Sequence, residues 1–370
     1  MAQEQWKAGV KEPTSETKYN SLVLVVPKKG SMFTTATEAW RPVIDFRNIN
    51  KATIKENWPI PRTEEALDAL SKAKYISCID ATSGYWQIPL AEESKSKTAF
   101  STLSRRWQYK CLPMGITNAA PTFQRNMEIM LNGLLWKCCV VYIDDIIIYS
   151  DTFEEHMQHL EEVFKRLKQC NIVIKPSKCK LVRAETVYLG HVVGNGVLKP
   201  NPDNLKAIQD TPVPTTLQEI RSFTMMASYY RRFVEKFAHI AKPLTDYMKM
   251  KGKKVKVALS EEAVTAFHML KEKLTHAPVL KLADMTKPFE LRTDASKYAI
   301  RGVLFQRNDK GHEQPVWYAS RVLSGTEQRY SATERDVGHS ILCVVLVPIS
   351  MGNKIQSVHR SLSTQEHQNQ

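Results

Sequence analysis

The sequence predicts a mixed α+β fold in roughly two or three domains. Its 370 residues exceed what one ordinary core holds. Short β-branched and aromatic runs pair across polar loops, as SLVLVVPKK and WRPVIDF do on either side of GSMFTTATE between Ser21 and Asn50. Other stretches carry the three-to-four-residue apolar spacing of helices, most clearly DTFEEHMQHLEEVFKRLKQ from Asp151 to Gln169. Prolines at Pro200, Pro202, Pro212 and Pro214 place a boundary near Lys199-Pro200.

Taken in order, Pro59 and Pro61 lead into a helix, TEEALDALSKA, with Thr63 as its cap and acids in its first turn. YISCIDATSGYWQIPL reads as a strand pair broken by polar residues. After CLPMG, the segment from Asn118 to Leu135 has helical spacing, with Pro121 tolerable in its first turn. CCVVYIDDIIIYSD reads as a hairpin: strands Val140 to Ile143 and Ile146 to Tyr149, with Asp144-Asp145 as the turn. In the helix that follows, Phe153, Met157, Leu160, Val163, Phe164 and Leu167 line one face. ETVYLGHVV is strand-like, Thr215 to Met250 helical around YYRRF, and Ser260 to Thr275 helical again. PFELRTDAS, AIRGVLFQ and VWYASRVL read as strands, and Ser350 to Gln370 as a disordered tail.

Composition narrows the function classes. No apolar run reaches the roughly 18 residues of a membrane span, and the N-terminus lacks a signal-peptide core, so a soluble intracellular protein without a membrane partner is expected. The basic run MKMKGKKVKV reads as a solvated loop and selects neither nucleus nor cytoplasm. Seven cysteines without a C-x-x-C spacing argue against a disulfide framework or a zinc site. A net charge of +14, from 52 basic and 38 acidic residues spread in stripes, suits a polyanionic partner.

Asp144-Asp145 is a poor turn and a good ligand. Hairpin turns favour Asn-Gly or Asp-Gly, whereas two adjacent aspartates repel and are costly beside apolar strands unless a cation neutralises them. On this segment alone, a solvated structural hairpin and a metal site stand level. Asp80 ends the strand YISCID, so a sheet that brings both segments together would gather three carboxylates. Such a set can hold two Mg²⁺ ions that clamp the attacking and leaving oxygens of phosphoryl transfer.

The motifs VVPKKG…WRPVIDFRNIN, WPIPRTEEALDAL, CIDATSGYWQIPL, KTAFST, CLPMGITNAAPTFQ, VVYIDDIIIYS, HLEEVFKRL, YLGHVV and IRSF…YYRRFVEKFAHIAKPL run in order from about Val10 to Leu244. They resemble the reverse transcriptase region of gypsy-like LTR retrotransposons and, more distantly, of retroviruses. The resemblance implies a right-hand polymerase of fingers, palm and thumb followed by a partial RNase H-like α/β unit. By that reading residues 1–197 are fingers and palm, 198–275 the thumb and 276–349 the RNase H-like part. It makes Asp80, Asp144 and Asp145 the catalytic triad and the ligands of two Mg²⁺ ions, with Mn²⁺ as an alternative. The implied reaction is attack of a primer 3′-hydroxyl on a dNTP, templated by RNA or DNA. Lys28, Arg41, Tyr85, Met114 and Gly115 match dNTP-contacting positions, Tyr85 as the gate against ribonucleotides. Gly190, His191, Tyr229, Arg231 and Arg232 match primer–template contacts.

Departures accompany the matches. Met114 stands where many relatives have Phe or Gln, and Thr224 and Met225 replace the usual Leu and Gly of the thumb. Asp294 and Glu334 match the first two RNase H carboxylates, but the resemblance stops after ILCVV, so an incomplete and inactive RNase H is expected. With no protease or integrase region, a fragment or a degenerate copy is expected. Two functions remain: an RNA-directed DNA polymerase, or a catalytically silent nucleic-acid-binding relic. A stand-alone ribonuclease H is the weakest reading.

Overall fold

The structure, a computed structural model, describes residues 2–15, 17–27, 40–252, 255–295, 298–329 and 355–360. Two units arise, Met1–Arg62 with Ile76–Val182, and Thr63–Tyr75 with Arg183–Gln370. The first contains α1 (Ala2–Lys7), β1 (Lys11–Pro13), the hairpin β2 (Leu22–Pro27) and β3 (Trp40–Asp45), and α2 (Arg47–Ala52). Helix α3 (Thr63–Asp68) belongs to the second unit, and β4 (Tyr75–Asp80) returns the chain to the first. Then come α4 (Glu92–Lys95), β5 (Phe100–Ser101), β6 (Arg106–Tyr109), α5 (Ala119–Met130), β7 (Cys139–Tyr142), β8 (Asp145–Ser150), α6 (Phe153–Gln169) and β9 (Lys180–Arg183).

The central sheet of the first unit runs β7-β8-β4-β9. Its core packs Ile79, Val141, Ile146 and Ile148 of the strands with Phe123 and Met127 of α5 and Leu160, Val163 and Leu167 of α6. Such enclosure is why β7 and β8 read as nearly continuous apolar runs rather than alternating ones. Helix α6 opens on a capping box: Thr152 Oγ1 accepts from the Glu155 N–H, and the Glu155 carboxylate from the Thr152 N–H, both at 3.3 Å. The buried face of α6 differs from the expected one. Phe153 and Met157 are exposed, and His156 lies inside. Its Nε2 is 2.7 Å from the Ser77 hydroxyl of β4 and its Nδ1 3.0 Å from the Ser150 hydroxyl of β8. Apolar spacing cannot flag a histidine that two strand hydroxyls satisfy. A second core gathers Ile44, Phe46, Phe100, Trp107 and Tyr109 around the sheet β1-β6-β5.

The second unit adds β10 (Glu185–Tyr188), β11 (His191–Gly194), β12 (Val197–Pro200), α7 (Pro202–Asp210), α8 (Leu217–Tyr229), α9 (Phe237–Met248), α10 (Glu261–Thr275) and β13 (Leu280–Lys281). It ends with β14 (Phe289–Ala295), β15 (Ala299–Arg307), β16 (Glu313–Val322) and β17 (Ile355–Arg360). One sheet runs β10-β11-β12-β13 and another β16-β15-β14-β17. Three expectations are corrected. A boundary between 197 and 198 would cut β12, which pairs with β11 and β13. Within the tail expected to be disordered, Ile355–Arg360 pairs in parallel with β14. The helix expected through Ala73 stops at Asp68, and the chain tightens into i→i+3 turns in which Leu70, Ser71 and Ala73 donate to Leu67, Asp68 and Leu70.

Among the described residues no helix is long and apolar enough to cross a membrane. The described cysteines are free thiols.

Candidate active site

β4 and β8 are neighbours in the central sheet, so Asp80 and Asp145 lie on adjacent strands. Asp80 is the last residue of β4 and Asp145 the first of β8. β7 and β8 pair from Cys139↔Ile148 to Tyr142↔Asp145, so the turn is Ile143–Asp144, one residue earlier than the sequence suggests. Asp145 is therefore a strand residue. Its carboxyl is raised above the usual carboxylate range, first by loss of hydration, then by the charges of Asp144 and Asp80, against the pull of Lys178.

Lys178 already supplies a counter-charge. Its Nζ lies 3.1 and 3.4 Å from the two Asp80 carboxylate oxygens. The lysine arrives on a short 3₁₀ turn, Pro176–Lys178, anchored where Lys175 N–H donates to the Asp80 carbonyl at 2.9 Å. In the sequence it was one basic residue among many. Among the described residues no three His, Cys, Asp or Glu side chains stand close enough to hold a metal. The residue types nevertheless suit a hard divalent cation, since all three offer carboxylate oxygens.

Tyr85 sits in a 3₁₀ turn, Gly84–Gln87, with its ring centroid 5.2 Å from that of Phe123. Its hydroxyl is raised, first by burial and then by the charge of Asp144. Met114 is exposed, while Leu112 and Pro113 beside it are buried. Gly115 has φ +96°, and Asn50 of α2 fastens this turn, donating to the Gly115 carbonyl at 2.8 Å and accepting from Thr117 N–H at 2.8 Å. Asn50 was not singled out in the sequence, since nothing near it marks it as more than a helix residue. Arg41 is in β3 opposite Val26. Lys28 lies outside the described residues.

The second unit places the other expected contacts. Leu189 and Gly190 form the β10–β11 turn with φ +43° and +69°. Tyr229 donates to the Leu189 carbonyl at 2.6 Å and Tyr230 to the Gly190 carbonyl at 2.7 Å. His191 is buried against Tyr229, Tyr230 and Phe233, donates from Nδ1 to the Leu189 carbonyl at 2.8 Å, and is pushed down to about 4, chiefly by burial. It is neutral at pH 7. Tyr229 and Arg231 are exposed. Arg232, expected on a primer–template, is instead 4% exposed, its guanidinium 4.1 Å from the centroid of the Trp317 ring. An arginine stacked inside the unit presents no charge to a phosphate.

Thr224 is buried and donates to the Ile220 carbonyl at 2.8 Å, whereas Met225 is exposed. Asp294 in β14 faces Arg301 in β15 across the register. Arg301 Nε donates to Asp294 at 2.6 Å, its terminal nitrogen also pairs with that carboxylate, and Nη1 reaches Glu235 at 2.7 Å. Glu334 lies outside the described residues.

Residues 26–193 match the family model described as reverse transcriptase (RNA-dependent DNA polymerase), and residues 259–345 match the RNase H-like domain found in reverse transcriptase. The chain carries a reverse transcriptase domain followed by an RNase H-like domain. In Drosophila melanogaster it is similar to the retrovirus-related Pol polyprotein from transposon 297, 42% identical across 87% of this chain and 30% of that one. The polyprotein from transposon gypsy is 38% identical across 90% of this chain and 32% of its own length. The chain thus spans about a third of the length of these relatives. Among solved structures, a foamy viral protease-reverse transcriptase in complex with double-stranded DNA aligns with TM-score 0.83 and 26% identity, over 98% of this chain and 61% of that one. The foamy viral protease-reverse transcriptase with an RNA/DNA hybrid aligns with TM-score 0.81 and 26% identity, over 98% and 47%.

Proposed function

We propose that the protein is an RNA-directed DNA polymerase that extends a primer with dNTPs on an RNA or DNA template. The observation that supports it most is that β4 ends on Asp80 and its neighbour β8 begins on Asp145, with Asp144 in the turn just before β8. The nucleic-acid complexes of the foamy viral neighbours and the net charge of +14 support the polyanionic partner.

Asp80, Asp144 and Asp145 would hold two Mg²⁺ ions, or Mn²⁺, which when bound supply Lewis-acid stabilisation of the attacking and leaving oxygens. The chain's own groups do the rest. Lys178 balances Asp80, so the cluster carries less repulsion than three bare carboxylates. Tyr85, held against Phe123, presents a rigid ring beside Asp144 where a sugar carrying a 2′-hydroxyl meets a wall. Asn50 and Gly115 shape the turn that bears Met114 into the adjoining nucleotide-binding surface. Tyr229 and Arg231 are the exposed groups left to meet a primer–template, and Gly190 and His191 act through the shape of their turn. The RNase H-like unit is inactive by this reading, since of the acids such a site uses the sequence matches only Asp294 and Glu334.

Primer extension on an RNA template with Mg²⁺, wild type against Asp144→Asn, tests the proposal. Extension by the wild type, reduced at least about 100-fold in the variant, is the expected result, with the RNA strand left uncut. A second reading, a silent nucleic-acid-binding relic, is favoured by the ion pair between Lys178 and Asp80 and by the lack of a ligand cluster among the described residues. It prevails if neither protein extends the primer while both bind it with steep salt dependence.

A further inference from the structure

The turn that carries Asp144 has an unfavourable backbone. Ile143 has φ +55°, in the left-handed region that a β-branched side chain avoids. Two-residue hairpin loops demand positive φ at their first central position, which Gly or Asn ordinarily supplies. Ile143 holds that position between the paired residues Tyr142 and Asp145. A conformation of this kind persists only where the surroundings hold it.

Gln124 is the group that holds it. It projects from α5 into the interior and is 0% exposed. Its Oε1 accepts from the Ile143 N–H at 2.6 Å. Its Nε2 donates to the Val141 carbonyl at 3.0 Å and to Glu128 Oε1 at 2.7 Å. One amide thus grips both the strand before the turn and the strained residue itself. Its orientation is also set. Glu128, as a carboxylate, accepts and cannot donate, so the Gln124 NH₂ faces it and the oxygen is left for Ile143. Glu128 is in turn held by Trp58 Nε1–H at 2.9 Å from Oε2. The chain Trp58, Glu128, Gln124, Ile143 ends one residue short of Asp144.

We infer that Gln124 is the positioning residue of the acidic turn, holding Ile143 in its left-handed conformation and thereby aiming Asp144. The inference rests on the polymerase reading for its catalytic consequence, but the clamp itself does not. Without the Gln124 oxygen the Ile143 N–H is left in an apolar setting without its partner, and the turn relaxes toward conformations a β-branched residue prefers. Asp144 then samples several orientations and the acids meet less often.

The test compares the full chain with Gln124→Met, Ile143→Gly and the double variant. Methionine keeps the volume of glutamine and removes the acceptor; glycine adopts positive φ without help. By hydrogen exchange, Gln124→Met is expected to raise exchange at the Ile143 amide at least tenfold; unchanged exchange overturns the inference. This readout needs no catalysis and stands even if the wild type extends no primer. Where the wild type does extend, Gln124→Met is expected to lower kcat at least tenfold with KM for primer–template unchanged, and to cost less than threefold in the Ile143→Gly background. Equal losses in both backgrounds would assign Gln124 to packing alone. Should Gln124→Met fail to fold, the double variant is expected to fold, and its failure overturns the inference as well.

Discussion

Lys11 shows at the residue scale how a charge can be placed at a cost. It is 3% exposed, with Nζ 4.6 Å from the Phe100 ring centroid and 4.4 Å from that of Tyr109. Burial pushes its ammonium from the usual 10.5 down to about 8, so attraction to two rings offsets only part of the lost hydration. Below pH 8 both folded and unfolded chains are protonated there, and the cost is fully present. Between about pH 8 and 10.5 the unfolded chain binds the extra proton, so stability rises with pH. Lys11→Met is expected to raise stability at pH 7 by about 1 kcal/mol and to remove that rise. Thermal melts across the window check it; a slope that survives the substitution would assign the rise to another group.

At the element scale, boundaries written in local chemistry were the most legible. The helical stretches read from Asp151 and Thr215 begin on the N-caps Thr152 and Thr216, one residue later in each case, and both caps are capping boxes with Glu155 and Glu219. Thr152→Ala is expected to lower stability by about 1 kcal/mol, read as a shift of the urea midpoint at unchanged slope. Registers and faces were less legible. The acidic hairpin turns at Ile143–Asp144 because its register pairs Tyr142 with Asp145, and the strain is absorbed by a side chain from another element. The inner face of α6 takes His156 in place of Met157, since one of the two hydroxyls that satisfy it, Ser77, comes from a strand 79 residues away.

At the scale of the whole molecule, each unit closes its own core, and the second buries two opposite charges that no motif announces. Asp68 of α3 and Arg232 are 7% and 4% exposed. The Asp68 carboxyl is pushed up to about 7, chiefly by burial, with Arg232 opposing and Glu64 and Glu65 adding. Arg232 is pushed down to about 10 by burial, which Asp68 and Glu64 oppose. An acid with a raised folded value loses stability as pH climbs from its unfolded value through the folded one. Arg232→Met deprives the ionised form of its counter-charge, so the loss deepens above pH 7. The variant is expected to be more destabilised at pH 8 than at pH 6 by about 1 kcal/mol, measured by denaturant unfolding at both values. Equal losses would mean that Asp68 stays neutral throughout.

The amino-acid sequence by itself determined the mixed fold, the hairpins β2-β3 and β7-β8, the identity of the three acids and the family to which their motifs point. Each of these is written in local periodicity or in ordered motifs, which survive being read in one dimension. Only the tertiary structure decided that Lys178 neutralises Asp80, that Gln124 holds Ile143, that Arg232 stacks on Trp317 and that Arg301 takes Asp294. In every such case a polar group's role depends on whether its partner, distant in the chain, arrives to repay its loss of water. That is a property of packing, which the order of residues implies but does not display.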